Sequence, residues 1–411
     1  MTDLLKRLTQ TAVKHEILQQ YLEAWRYIVT SGLSGVYEKA NRTGRHLVSR
    51  FVYVDCFSFT GQYAPENNQA IYGSPVIGIA SMDQLKTAFQ ERNIVAPEVF
   101  TILVEKERDN YQALLRTLHE LGYGDRIKET SDFYKLKSGE IAVINGDYQD
   151  YLDRILAFTS RDYTWSFYFV DPYGPKSIPL SAVSRIVNQR YADVIINLPY
   201  QDLHKKTGSA AKEEPDPNHV PILEQYDAVY GNQAWRNIAQ NYYSDQIDRE
   251  RMEDELVALY QQVLSDKSTD LAVKRIPLKF EDKERTMFYL FLTTHDGTGA
   301  LKMNEILMNA KIREYDYRER ARSSRTGQLS LFAEIQDPSR PINPEQDLKE
   351  IADEIFRLCK GESISFRSVL ARLANTPYYE VNVRKAMTIL KKSGKCSYST
   401  LGHKEIITFV R

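Results

Sequence analysis

The sequence predicts an α/β protein with an open, mostly parallel sheet, followed by a small separate unit at the C-terminal end. Three observations carry this. Short apolar runs at 51–54, 100–104, 141–144, 166–170 and 194–196 alternate with segments of helical period. The first four runs lead in turn to an acid: Asp55, Glu105, Asp147 and Asp171. After a polar stretch rich in Arg, Ser, Gly and Pro at 318–346, the pattern changes to three short helices and a hairpin. Strands separated by helices are joined by right-handed crossovers and therefore lie parallel.

The elements follow in order. Val13, Ile17, Leu18, Tyr21, Leu22, Trp25 and Ile28 recur at helical steps over 9–30, with Gly32 as the expected stop. The strand at 51–54 ends at Asp55. A helix at 76–89 is followed by the strand leading to Glu105. A helix at 109–121 precedes the strand leading to Asp147, and a helix at 151–158 precedes the strand leading to Asp171. A helix at 180–187 and a strand at 194–196 continue the alternation. The polar segment 200–221, with Gly208, Pro215 and Pro217, reads as a mobile loop. A helical insertion at about 222–265 comes before a strand at 287–293 and a helix at 300–310. The expected boundaries are one domain over 1–320, a linker over 321–345 and a second domain over 346–411.

Composition narrows the function classes. A chain of 411 residues with 42% hydrophobic and 27% charged residues suits a soluble protein of two or three domains. No apolar run approaches the roughly 20 residues that span a bilayer. The start, MTDLLKRLTQ, lacks a basic-then-apolar signal pattern. Cys56, Cys359 and Cys396 have no metal-ligand spacing, so reduced thiols, a cytoplasmic location and no bound metal are expected. A net charge of −1 leaves any nucleic-acid contact to a local patch.

The chemistry concentrates at Asp171-Pro172-Tyr173-Gly174. Pro172 cannot donate to a ladder, so the strand stops there, and Gly174 permits a turn. Ligands bind outside the carboxyl ends of strands in open α/β sheets. An acid followed by an aromatic ring at such an edge suits a planar amino group: Asp171 would accept its hydrogen and Tyr173 would stack on it. Asp171 itself has little local packing to do. Among the other acids, Glu105 at a second strand end suits ribose hydroxyls and Asp147 suits an adenine amino group, which together point to an adenosine-bearing cofactor.

In the C-terminal unit, helices at 348–356, 366–373 and 380–393, the last stopped by Gly394, precede a hairpin through Gly402. This is the layout of a winged helix. The third helix would present Asn382, Arg384, Lys385, Lys391 and Lys392 away from Val383, Met387 and Leu390. Phosphate contact by Arg384, Lys385, Lys391 and Lys392 and a solvated face of a protein-binding module are both open readings.

These residues resemble the class I S-adenosylmethionine-dependent methyltransferases and, more closely, the three-Cys-motif partner (TcmP) family. The resemblance rests on Lys14-His15-Glu16-Ile17-Leu18 with Tyr21, Leu22 and Trp25, and on Val54-Asp55-Cys56-Phe57 leading to Gly61 and Tyr63. It continues in Gly73-Ser74-Pro75, in Val170-Asp171-Pro172-Tyr173-Gly174, and in His295, Gly297, Gly299-Ala300 and Met303, over roughly residues 10–320. It implies a Rossmann-like methyltransferase-type domain binding S-adenosylmethionine through Asp55, Phe57, Gly61, Glu105 and Asp147. The implied partner is a three-Cys-motif protein, and similarity to amino-methyltransferases implies that Asp171, Pro172, Tyr173 and Gly174 face an exocyclic amine of a nucleic-acid base. The first loop departs from D-x-F-x-G-x-G, because Phe59 stands at the first glycine; Tyr173 stands where adenine-modifying relatives place a second proline. A non-catalytic adaptor that binds nucleic acid or a partner protein is the alternative. Separately, Gln328-Leu329-Ser330-Leu331-Phe332 resembles the pentapeptide by which bacterial proteins dock on the sliding clamp.

Overall fold

A computed structural model describes residues 5–42, 49–66, 68–91, 96–212, 216–281, 283–326 and 346–411. The strands of the first domain are β1 (Arg50–Asp55), β2 (Gln62–Glu66), β3 (Gln69–Tyr72), β4 (Glu98–Glu105), β5 (Ile127–Lys128), β6 (Ile141–Asn145), β7 (Thr164–Val170), β8 (Ala192–Leu198), β9 (Ala272–Lys279) and β10 (Thr286–Thr294). Eight of them form one sheet in the order β5-β6-β4-β1-β7-β8-β10-β9, while β2 and β3 make a separate hairpin. All pairings from β5 to β8 are parallel, and β10 runs antiparallel to both of its neighbours. This is a Rossmann-like sheet. The chain builds outward from β1 through β4 to β6, then returns to lay β7 on the other side of β1. That reversal makes the carboxyl ends of β1 and β7 the topological switch point.

Both faces are covered, which is why the strands read as continuous apolar runs. Helices α1 (Thr9–Arg42), α2 (Ser74–Glu91) and α3 (Arg108–Glu120) share one face with α10 (Gly297–Thr326), over Phe51, Tyr53, Phe167 and Phe169. On the other face lie α4 (Tyr148–Thr159), α5 (Leu180–Val187), α6 (Tyr200–Ala210), α7 (Val220–Tyr230), α8 (Ala234–Tyr243) and α9 (Arg249–Ser265), over Val52, Val54, Tyr168 and Val170.

Several expectations are corrected. Helix α1 runs through Gly32 to Arg42, because an interior glycine costs only about 1 kcal/mol. The segment 200–221 is not a loop throughout, since α6 fills its first half and α7 begins at Val220. Tyr200, Leu203, Thr207 and Ala210 form a buried stripe along α6, and Pro221 sits in the first turn of α7, where its missing N–H costs nothing. Helix α10 reaches Thr326 and so enters the segment expected as linker. The clamp-like Gln328–Phe332 lies outside the described residues. Strand β9 was hidden by Pro277, which an edge strand accommodates.

The C-terminal unit contains α11 (Leu348–Cys359), β11 (Ser363–Ser365), α12 (Phe366–Arg372), α13 (Glu380–Lys392), β12 (Cys396–Ser397) and β13 (Ile406–Phe409), with an antiparallel sheet in the order β11-β13-β12. The expected helices and hairpin are present, and β11 adds a third strand. Leu301 of α10 joins its core. The buried Lys274 ammonium donates to the Thr376 carbonyl at 2.6 Å, and Asn304 donates to the carbonyls of Thr376 and Tyr378. At Gly297 a side chain would lie 2.5 Å from the backbone of Leu370 and Ala371, so glycine allows this close docking. Among the described residues no helix is long and apolar enough to cross a membrane.

Candidate functional site

Asp55 is the last residue of β1 and is fully buried. It accepts the backbone N–H of Phe57 at 3.2 Å and the Tyr53 hydroxyl at 3.4 Å. Burial raises its carboxyl to about 7. Glu105, ending the neighbouring β4, accepts the N–H of Phe59 at 2.7 Å and that of Glu107 at 2.8 Å; its pKa is also raised by burial. The loop between them is stitched to both flanking strands. Cys56 N–H donates to the Phe169 carbonyl, and Ser58 N–H to that of Val104.

Two residues of this loop hold left-handed backbone. Gly61 has φ +72°, and a Cβ there would lie 2.8 Å from Leu114 Cδ1. Phe59 has φ 52°, which costs an L-residue about 1 kcal/mol. Its ring packs at 5.9 Å from Tyr63 and 6.2 Å from Tyr173, contacts that offset the strain. Asp147 caps α4, accepting the N–H of Gln149 at 3.1 Å, and pairs with Lys106 at 3.3 Å. Packing at the switch point thus brings Asp55, Phe57, Gly61 and Glu105 together, with Asp147 at the end of the next strand out.

Asp171 is not the unencumbered carboxylate that the sequence suggested. Lys14 Nζ reaches both of its oxygens, at 2.7 and 2.6 Å, and Asn197 Nδ2 donates to Oδ1 at 2.6 Å. Lys14 is only 5% exposed and also lies 4.9 Å from the Phe288 ring centroid. His15 beside it is buried and held down to about 3, by burial first and then by Lys14; its Nδ1 has no partner. Asn197 Oδ1 is likewise buried and without a partner. Pro172 is buried, and Tyr173 is 67% exposed with its ring against Phe59. Gly174 is extended at φ −167° with nothing within 4 Å of where a Cβ would lie, so no turn here demands glycine.

Sequence reasoning gave Lys14 no role and passed over Asn197. Both left a signal. Lys14 stands in the inward stripe with Ile17, Leu18 and Tyr21, a charged residue among apolar ones. Asn197 sits near the carboxyl end of β8, two residues before Pro199, much as the acids end their strands.

On α13, Lys385, Lys391 and Lys392 are exposed, while Arg384 folds back onto Glu380 at 2.7 Å and over the Phe366 ring. Lys391 donates to the Tyr398 carbonyl at 2.6 Å. Asn382, expected on the outer face, is buried and bonded to Gln346. The outward cations of this helix with neither an ion pair nor a side-chain hydrogen bond among the described residues are therefore Lys385 and Lys392.

No family model matches the chain. No curated protein matches it either. Among solved structures, a Legionella pneumophila protein of the DUF519 family is 12% identical, covering 70% of this chain and 85% of that one at a TM-score of 0.32. A loganic acid methyltransferase with S-adenosylhomocysteine is 8% identical, covering 78% and 92% at 0.25. Likenesses this distant add nothing about the site.

Proposed function

We propose that this chain is an S-adenosylmethionine-dependent methyltransferase acting on an exocyclic amine of a nucleic-acid base. The observation that carries the reading is the switch point. Asp55 ends β1, Asp171 follows β7, and Glu105 ends the next strand outward, so three acids meet at the crevice where this fold class binds ligands. The residues fit an adenosine-bearing cofactor at the strand ends. Glu105 Oε2 has one donor, Phe59 N–H, and so keeps a lone pair for a hydroxyl. Asp55, Phe57, Gly61, Glu105 and Asp147 would hold the cofactor, which supplies an activated methyl group. Asp171 would orient the acceptor amine through the remaining lone pair of Oδ2, an oxygen that Lys14 holds in place. Tyr173 offers the exposed ring on which a base would stack. The C-terminal unit would act as a winged helix, with Lys385 and Lys392 on phosphates.

One observation favours a second reading. Phe59, left-handed and wedged between Tyr63 and Tyr173, fills the loop where small residues would admit a cofactor. On that reading the chain is an adaptor that binds nucleic acid or a three-Cys-motif protein. Calorimetry with S-adenosylmethionine and S-adenosylhomocysteine separates the two. The transferase reading predicts saturable heat that Glu105→Ala weakens, each bond to the charged group being worth about 1.5–3 kcal/mol. The absence of heat from either compound at millimolar concentration would leave the adaptor.

A further inference from the structure

Past Asp171 the edge of the sheet changes sign. Tyr200 opens α6 three residues after Asn197. Its ring lies 5.5 Å from that of Tyr289 on β10 and 6.1 Å from that of His204, one turn along α6. The Tyr289 hydroxyl donates to Glu253 of α9 at 2.8 Å. Three arginines flank these rings and bear on them electrostatically: half-buried Arg249, one turn before Glu253; Arg275, on β9 directly opposite Phe291; and exposed Arg285, just before β10. Most other arginines here are bound, such as Arg50 to Glu98, Arg126 to Asp83 and Arg236 to Asp227. Arg249, Arg275 and Arg285 have neither an ion pair nor a side-chain hydrogen bond among the described residues.

The polar groups between them are equally unsatisfied. The Tyr200 hydroxyl, on a side chain 1% exposed, has no partner, and neither His204 Nδ1 nor Arg275 Nη1 has one. A buried polar group without a partner costs about 1–3 kcal/mol, so orphans gathered in one place imply an absent ligand. Their character sets its chemistry. Guanidinium forks are donors only and match phosphate bidentately, and the tyrosine hydroxyl adds a further donor. Glu253 is the one acid within reach of these rings; it is bonded to Tyr289 and stands near the Tyr200 hydroxyl, short of hydrogen-bond geometry.

We propose that Arg249, Arg275 and Arg285, with Tyr200, form a phosphate-binding site beside the crevice that takes the phosphate of a nucleotide. The site stands on its own geometry; its assignment to the methyl acceptor rests on the transferase reading.

The test is calorimetry with inorganic phosphate, cytidine 5′-monophosphate and cytidine, probes chosen to avoid adenine. Cytidine monophosphate should bind wild-type protein more tightly than cytidine does. Arg249→Ala with Arg285→Ala should weaken that binding more than tenfold, and lysine at both positions should recover part of it. Arg249→Glu alone, at a half-buried helix position, should abolish it and gives an independent variant should the double one fold poorly. Binding of inorganic phosphate without any gain from the nucleoside would reduce the site to a free-phosphate site and overturn the nucleotide assignment. No phosphate binding by wild-type protein, or unchanged binding in both arginine variants, would overturn the site. S-adenosylhomocysteine titrated into the same proteins keeps the two readings apart: its binding alone rejects the phosphate site, and phosphate binding alone rejects the transferase.

Discussion

The two halves of the sheet's carboxyl edge are built differently. On the β1, β4 and β6 side, each acid is met by backbone amides close in sequence or on the neighbouring loop: Asp55 by Phe57, Glu105 by Phe59 and Glu107, Asp147 by Gln149. On the β7, β8 and β10 side, Asp171 depends on a lysine 157 residues away, and the arginines beyond it have no side-chain partner among the described residues. The first half completes itself, whereas the second is completed by a remote helix and, on our reading, by a ligand. Self-contained loops suit an invariant cofactor; borrowed and open groups suit a variable acceptor.

The largest effect should come from breaking the borrowed contact. Lys14→Met leaves the Asp171 carboxylate without its lysine and should cost about 3–5 kcal/mol, measured by chemical denaturation. Asp171→Asn in the same chain should recover most of it. Asp171→Ala alone should cost as much, because it strands a buried ammonium, so the residue is structural as well as a candidate for chemistry.

On the self-contained side the cost should be smaller. Glu105→Gln keeps one accepting oxygen and loses the charge that strengthens both amide bonds, and should cost about 1.5–3 kcal/mol in the same assay. Phe59→Gly should change stability by less than about 1 kcal/mol, since relief of left-handed strain offsets the lost ring contacts. On the transferase reading it should also tighten S-adenosylhomocysteine binding, and unchanged affinity would show that the phenylalanine is no obstacle.

What was legible follows the same division. The strand-end acids and the parallel order were readable because they depend on local pattern: an apolar run and the residue that ends it. Lys14 and Asn197 were not, since their roles arise only when α1 and β8 are brought to Asp171 across the fold. The α6 stripe was missed because Gly208 and a polar composition outweighed its period, and tertiary packing then decided the matter. Asn382 was misplaced because helical spacing alone did not reveal that Gln346 covers it.

A partly cancelling effect is expected on pH dependence. Burial holds Asp55 and Asp193 up near 7, so between about pH 4 and 7 the folded chain keeps protons that the unfolded chain has lost. Stability should therefore fall as pH rises through that window and level off above it. His15, held down to about 3, works in the opposite sense: its contribution is complete above about 6.5 and is lost as pH falls toward 3. Wild-type protein should show a net decline from about pH 4 to 7, and Asp55→Asn should flatten it below about 6.5. A decline unchanged in Asp55→Asn would mean that this carboxyl titrates normally.

The most direct test of the central claim is hydrogen exchange at the amides of Phe59 and Glu107, which donate to Glu105, with and without S-adenosylhomocysteine. If the self-contained half is the cofactor side, both amides should exchange more slowly in the ligand's presence, and Glu105→Ala should abolish the difference. Saturable binding that leaves both amides unchanged, or no binding at all, would contradict that assignment.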